Sequence, residues 1–381
     1  PAFPRTESLV LNGIGEPLLN PDLEYFVELA RASMPASATI GFQTNGLLLT
    51  EPKARALMAA GLDRVCVSLD SLEEGRYGGI RAGGRLASAT QAIAALAAAR
   101  AALGKTDFEI GIEFVAMRDN IEELPALISW AASQGVDFLI VSQLFPYDRA
   151  SLPLAAYDAN LDVAVELYDK YRAAGLRAGF DIRDYSRVYL KYAKTPEDSS
   201  IVELVADMQE EALSRGITMN IGRILARDAI PAERARAVFE EAACLAREHG
   251  LDLALPLSQP RSARSCDFVE GGSAFVSRDG QVHPCYFLWH RYDCYVGGYE
   301  KKVAARSFGS LAEKGILDIW NDAAFRTFRS NVLKYEYPYC LNCNLALCDY
   351  VQLADFEQDC HMNAEPCAAC LWCMGLFRCM A

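Results

Sequence analysis

Short apolar runs alternate with longer amphipathic segments along residues 6–146. Five runs are rich in Val, Ile, Leu or Phe: 8–12, 39–43, 64–69, 109–115 and 138–142. Their length and composition predict strands. The segments 22–32, 52–60, 86–103 and 121–134 between them carry a helical pattern. Asn120 with Glu123 reads as a capping box opening the last of these helices. Strand–helix alternation implies parallel strands joined by right-handed crossovers, hence a barrel or a doubly wound sheet.

Residues 148–228 break that rhythm and read as helical. A further helix over 231–249 leads into the apolar run 251–257. The simplest organisation is an insertion after the strand at 138–142. Loops at the carboxyl ends of parallel strands form the active face of such sheets, so this insertion either caps a substrate or is ordinary helical packing. The polar, proline-containing stretch 258–264 marks a boundary. The segments expected are therefore 1–147, a barrel or doubly wound sheet; 148–228, a helical insertion or cap; 229–260, a further helix and a bridging strand; and 261–381, a cysteine-rich unit.

Cysteine usage changes the picture. Eleven of the thirteen cysteines fall in the last 116 residues: Cys266, Cys285, Cys294, Cys340, Cys343, Cys348, Cys360, Cys367, Cys370, Cys373 and Cys379. A disulfide scaffold fits badly, because such scaffolds are small secreted domains and this count is odd. Structural zinc suits the Cys-x2-Cys pairs at 340/343, 367/370 and 370/373, although only His283, His290 and His361 lie nearby. Iron–sulfur clusters take four thiolates each, so eleven cysteines supply two and leave three. Tyr286, Phe287, Tyr339, Trp372 and Phe377 would then limit solvent access. Spacing alone does not separate zinc from iron.

The 381 residues are 52% hydrophobic, with a net charge of −13 and interleaved signs. That balance argues against nucleic acid and against an anionic membrane surface as partners. No segment reads as a membrane span, the most apolar helix being alanine-rich and interrupted by Arg100. Many thiols and no visible secretory signal suit a reducing cytoplasm.

Three strand ends carry polar chemistry. The first is Asn12-Gly13-Ile14-Gly15-Glu16-Pro17, where two glycines admit a ligand to the backbone and Glu16 would suit an amino group. A tight turn is the plainer reading. The second, Thr44-Asn45-Gly46, is a strong turn signal. The third, Ser68-Leu69-Asp70-Ser71, either takes ribose hydroxyls or caps the next turn. Arg81, in the glycine-rich stretch 78–84, either holds a carboxylate or is solvated.

In combination these pieces resemble a known family. Gly13-Ile14-Gly15-Glu16-Pro17 is similar to the Gly-Gly-Glu motif of radical S-adenosylmethionine (SAM) enzymes, and Thr44-Asn45-Gly46 and Ser68-x-Asp70 match later strand ends of that family's barrel. Cys266, Gly280 and Cys285 resemble the opening of the auxiliary-cluster domain called SPASM. Within the family, 141–147, 348–351 and 366–373 resemble maturases of tungsten-containing aldehyde oxidoreductases.

The resemblance implies an α/β fold: a partial (β/α)6 barrel with its first strand missing, five barrel strands where the family has six, and a small cysteine-rich C-terminal domain. The family's Cys-x3-Cys-x2-Cys triad is absent, which implies an N-terminally truncated chain that has lost its catalytic 4Fe–4S cluster and is inactive as it stands. The implied chemistry is reductive cleavage of SAM to methionine and a 5′-deoxyadenosyl radical that modifies a protein, peptide or cofactor. The implied cofactor-binding set is Gly13, Gly15, Glu16, Asn45, Ser68, Asp70 and Arg81. Two auxiliary 4Fe–4S clusters would draw on Cys266, Cys285, Cys340, Cys343, Cys348, Cys360, Cys367, Cys370, Cys373 and Cys379, with Cys294 spare. The tail departs from the family spacing, so the grouping of these thiols stays open. No catalytic residue is assigned. The implied partners are a protein or peptide substrate, such as a tungsten oxidoreductase, and a low-potential donor such as ferredoxin or flavodoxin. Alternatives are sulfatase activation, ribosomal-peptide maturation, or a non-enzymatic iron–sulfur or zinc protein.

Overall fold

The computed structural model describes residues 2–345, 348, 353, 355–378 and 380. One sheet holds six parallel strands: β1 (Ser8–Val10), β2 (Thr39–Thr44), β3 (Arg64–Ser68), β4 (Glu109–Ala116), β5 (Phe138–Gln143) and β6 (Asp252–Ala254). Each lies beside its predecessor in sequence. A doubly wound sheet needs a reversal of that order. Sequential order instead places every crossover helix on one face and curls the sheet into a half-barrel.

Five barrel strands were expected and six are present. The extra one is β6, which pairs in parallel with Phe138–Ile140 of β5. It lies in the stretch expected to bridge the domains. Helices α1 (Leu23–Ser33), α2 (Glu51–Ala60), α3 (Glu74–Ile80), α4 (Leu86–Leu103) and α5 (Leu124–Ser133) fill the first four crossovers, α3 and α4 sharing the third. The expected capping box is not formed. Asn120 instead accepts from the Met117 N–H and donates to the carbonyls of Asp70 and Val115. Glu123 turns away to Ser71, the Leu72 N–H and Arg76. Both side chains are thus spent tying one strand end to the next.

The period-two pattern of the strands decides what faces where. Ile40, Phe42, Val65, Val67, Ile110, Ile112, Phe114, Leu139 and Val141 point outward and form the main core with Val27, Leu57, Met58, Ile93, Leu96 and Leu127 of the helices. The intervening residues face the concave side: Gln43, Cys66, Ser68, Gly111, Glu113, Phe138 and Ile140. Helix α4 is long and apolar enough to cross a membrane by length and composition. That corrects the expectation that no segment reads so. Its Ala89, Ala92, Ile93, Leu96 and Ala99 are buried in the barrel core.

After β5 the chain forms α6 (Asp162–Arg177), α7 (Tyr185–Tyr189), α8 (Pro196–Ser214), α9 (Ile221–Leu225) and α10 (Ile230–His249). A full capping box opens α8, with Thr195 and Asp198 reciprocally bonded. Helix α10 returns to the barrel core through Val238, Phe239 and Ala242. Helices α6, α8 and α9 do not. Leu167, Tyr168, Val205, Met208, Ile224 and Leu225 form a second core with Phe287, Cys294, Leu341, Cys370 and Leu376 of the cysteine-rich part. The helical segment is thus packed as one unit with the thiols.

The C-terminal stretch closes the arrangement. The carbonyls of Cys373, Met374 and Gly375 accept from the N–H groups of Ser265, Arg261 and Leu257, and that of Leu376 accepts from the Gln143 N–H. Met380 packs on the concave face against Cys66, Phe138 and Ile140. A Cβ at Gly111 would run into the Phe138 ring lying across it. Gly111→Ala is expected to destabilise the chain by about 1–3 kcal/mol through overpacking. Chemical denaturation of G111A and of G111A combined with Phe138→Leu checks this: the double variant should recover most of the loss.

Candidate functional site

Two constellations stand out, one at the strand ends and one among the thiols. At the first, Gly13 and Gly15 face open space, with nothing near the position a Cβ would take, and Gly15 has φ +115°. Glu16 turns inward. Its Oε1 accepts from the Thr44 hydroxyl at 2.7 Å and from the Leu18 N–H at 3.1 Å, and its Oε2 accepts from the Asn45 N–H at 2.8 Å. The fold therefore joins the first two strand-end motifs through one carboxylate. Asn45 is a turn residue, its Oδ1 accepting from the Leu47 N–H at 2.9 Å.

Asp70 is 1% exposed. Its Oδ2 accepts from Arg81 Nε at 2.6 Å and its Oδ1 from the Val115 N–H at 2.8 Å. Arg81 does hold a carboxylate, and it is the chain's own. Asp70 thus locks β3, β4 and the glycine-rich stretch together, which leaves Ser68 as the polar group of this end that faces the concave side.

Sequence reasoning missed two neighbours of Ser68. Gln43 donates through Nε2 to Ser68 Oγ at 3.3 Å and to Glu113. Burial pushes the Glu113 carboxyl up to about 7, against the pull of Arg81 and the hydrogen bonds from Ser68 and Gln43. The signal was present: with 110, 112, 114 and 116 apolar, position 113 must face the opposite side.

The second constellation is a small cavity lined by Cys266, Cys285, Cys367, Cys370 and Cys373. Val269, Phe287, Leu288, Phe328, Tyr337 and Trp372 complete its wall. The helix α11 (Asp267–Glu270) presents Cys266, the residue before its first turn. The strands β7 (Phe275–Val276) and β8 (Val282–His283) form the ribbon that leads to Cys285. Burial pushes the Cys266 thiol up to about 11 and raises Cys285 and Cys367 further. Cys370 is drawn downward, first by the hydrogen bond from Cys373.

Cys340, Cys343, Cys348 and Cys360 form a separate set. Charge on Cys360 and Cys348 acts on Cys340, and Cys348 and Cys343 act on Cys360. Asn220, the N-cap of α9, donates to the Cys343 carbonyl at 3.1 Å, so the helical segment holds this loop. Cys294 stands apart in the hairpin of β9 (Tyr292–Val296) and β10 (Tyr299–Val303). Cys379 lies outside the described residues. Every described cysteine is a free thiol. His283 is engaged by the Arg306 carbonyl and Ser277, and His361 by the Glu336 carbonyl.

Among the described residues, no three His, Cys, Asp or Glu side chains close on a point as one metal ion would require. A zinc ion needs its sulfurs about 2.3 Å away. Thiols that ring a cavity suit a multi-iron cluster, which offers a separate iron to each sulfur. Its iron also supplies the positive charge that buried thiolates need. The residues present fit the group.

Comparison with known proteins agrees. The Radical SAM superfamily model matches residues 6–131, and the SPASM iron–sulfur cluster-binding domain model matches residues 266–344. The chain belongs to the radical SAM–SPASM family. Its domains bind SAM and 4Fe–4S clusters. It is 28% identical over 379 residues to the tungsten-containing aldehyde ferredoxin oxidoreductase cofactor-modifying protein of Pyrococcus furiosus, covering 99% of this chain and 84% of that one. It is 24% identical over 343 residues to the AdoMet-dependent heme synthase of Methanosarcina barkeri, covering 90% and 74%. A GTP 3′,8-cyclase of Synechococcus is 37% identical over 147 residues, 34% of this chain and 42% of that one. Streptococcus suis SuiB bound to S-adenosylmethionine aligns at 13% identity with a TM-score of 0.45, covering 93% of this chain and 65% of that one. In this radical SAM–SPASM chain, Cys348, Cys360, Cys367, Cys370 and Cys373 lie beyond the matched SPASM segment.

The Glu113 carboxyl is raised from 4.5 to about 7 on folding. Its stabilising contribution is present in full below the unfolded value and is lost as pH rises through the folded one. Urea midpoints of Glu113→Gln should therefore gain on the parent chain by about 3 kcal/mol between about pH 4 and about pH 8. A constant difference across that range would show that Glu113 titrates normally.

Proposed function

We propose that this radical SAM–SPASM chain serves in the maturation of a tungsten-containing aldehyde oxidoreductase. The observation that carries the reading is its 28% identity with the Pyrococcus furiosus protein in an alignment covering 99% of its length, which spans barrel, helical segment and thiol region together. Gly13, Gly15 and Glu16 would take the methionyl end of SAM and Ser68 its ribose, while Asn45, Asp70 and Arg81 shape the strand ends that receive it. When bound beside a reduced cluster, SAM supplies a carbon-centred radical that removes a substrate hydrogen. The protein's share is to orient the cofactor and keep water out: the open backbone at Gly13 and Gly15 admits it, and the apolar outer core holds the strand ends fixed.

Cys266, Cys285, Cys367 and Cys370 are proposed as ligands of one auxiliary cluster, with Cys373 adjacent. Cys340, Cys343, Cys348 and Cys360 are proposed for the other. The 381 residues contain no Cys-x3-Cys-x2-Cys run. We infer that by themselves they load auxiliary clusters without cleaving SAM. A cytoplasmic location accords with free thiols at every described cysteine, and a ferredoxin- or flavodoxin-like protein would serve as the low-potential donor. A second reading, modification of a peptide, draws on the helical segment that shares a core with the thiols and offers a surface beside them.

Anaerobic reconstitution should give a brown chain with about eight irons, and Cys285→Ala should lose about half of them. SAM incubated with this chain and dithionite should yield no 5′-deoxyadenosine. Colourless, zinc-only protein contradicts the cluster reading, and 5′-deoxyadenosine contradicts the inactivity. Deleting the gene in its host should abolish aldehyde oxidation by the tungsten enzyme while its polypeptide persists. Undiminished oxidation would overturn the maturase reading.

A further inference from the structure

Two cations are buried among the thiols and form no ion pair with a carboxylate among the described residues. Lys301, on β10, is 2% exposed. It sits directly across the hairpin from Cys294, over the Phe287 ring at 5.9 Å. Burial draws its ammonium group downward from the usual lysine range, and charge on Cys340, Cys294, Cys370 and Cys367 opposes that pull. Arg264 is 9% exposed and lies 4.8 Å from the Tyr339 ring and 5.6 Å from that of Tyr337. Its Nη2 donates to the carbonyls of Pro338 and Ala368 at 2.8 and 3.2 Å. Its Nε and Nη1 are buried without a partner. Its charge acts on Cys340, Cys370 and Cys373. Both cations therefore address both thiol sets.

A buried charge without an opposite charge is strongly unfavourable. In a chain of net charge −13, carboxylates were available, and none forms an ion pair with either group among the described residues. The buried carboxylates of this region, Glu365 and Asp359, are engaged by Asn331 and Asn363, and the anionic partner left for the two cations is cysteine sulfur. Four thiolates leave a 4Fe–4S site negatively charged, and each reduction adds one more negative charge. Reduction potential follows net charge and burial.

We propose that Lys301 and Arg264 form a cationic bridge between the two thiol sets that raises the reduction potentials of the clusters held there. The reading rests on those thiols holding clusters, as proposed above. One electron enters from an external reductant, no iron–sulfur bond forms or breaks, and the two fixed positive charges stabilise the added negative one. Because both cations lie near both sites, each raises both potentials. Lys301 and Arg264 are positioning residues here and not catalytic ones.

Lys301→Met keeps the length of the side chain and removes its charge, while Lys301→Arg keeps the charge. The test is a dithionite titration of the reconstituted chain, monitored by electron paramagnetic resonance, with iron counted for each variant. K301M should load as the parent does and show at least a tenfold higher oxidised-to-reduced ratio at fixed potential, about 59 mV for one electron. K301R should stay within about twofold of the parent. A K301M chain with full iron and an unchanged titration overturns the bridge and leaves the cluster assignment standing. Should K301M lose iron, K301R decides: full loading supports the need for charge, and equal loss overturns it. A parent chain that takes up no iron defeats the cluster assignment itself, and the bridge with it.

Discussion

A thiolate buried in an apolar cavity is unstable unless positive charge meets it. That constraint organises the C-terminal half. Cys266, Cys285 and Cys367 are all raised by burial, so the bare cavity favours neutral thiols. Iron inverts the preference, and the apolar wall that penalises a lone thiolate then shields a cluster from water. The same wall is continuous with α6, α8 and α9. Sulfur chemistry and helical packing therefore stand or fall together: a cavity wall that loosened would expose the metal site and disrupt the second core at once.

The barrel solves a different problem. Its concave face must stay open for a ligand while its strand ends remain fixed. Inward-turned carboxylates do the fixing, Asp70 buried and Glu16 and Glu123 partly so. Glu16 ties β1 to the turn after β2, Asp70 ties β3 to β4 and Arg81, and Glu123 ties the loop after β3 to the start of α5. Each accepts at least one backbone N–H, which costs no side-chain entropy and leaves the other oxygen for a second partner. What faces that side is the open backbone around Gly13 and Gly15 and the row of Gln43, Ser68 and Glu113, bonded to one another. The polar groups that hold the fold are thus separated from those that face the concave side.

The barrel was legible because period-two strands and helical segments alternate without ambiguity. All five expected strands and the four expected helices formed within a few residues of their places. The sixth strand was missed as a barrel member because three residues after a long helix carry little periodicity of their own. Only pairing with β5 defines it. Asn120 and Glu123 misled for a different reason. Their spacing satisfies a local motif, yet long-range partners at Asp70, Ser71 and Arg76 compete for the same atoms and win. The site divided likewise. Cysteine spacing announced sulfur chemistry but not its grouping, because Cys266 and Cys370 are a hundred residues apart and meet only in the fold. Lys301 and Arg264 gave no signal at all, since a lysine in a short strand and an arginine in a polar linker ordinarily face water.

That last failure is informative. An exposed lysine needs no explanation, whereas one at 2% exposure does. The usual remedy, a buried ion pair, appears elsewhere in this chain, where Asp158 meets Arg227. The chain can therefore build such pairs and does not build them at Lys301 or Arg264. Placing a carboxylate there would neutralise the cation and add a negative charge beside sulfur that is already anionic when metal is bound. The pairing that would stabilise the isolated polypeptide would work against the loaded one. Among the described residues neither cation forms an ion pair with a carboxylate, as a site shaped around its cofactor requires, and this locates the conflict between stability and function in the wall shared by both thiol sets.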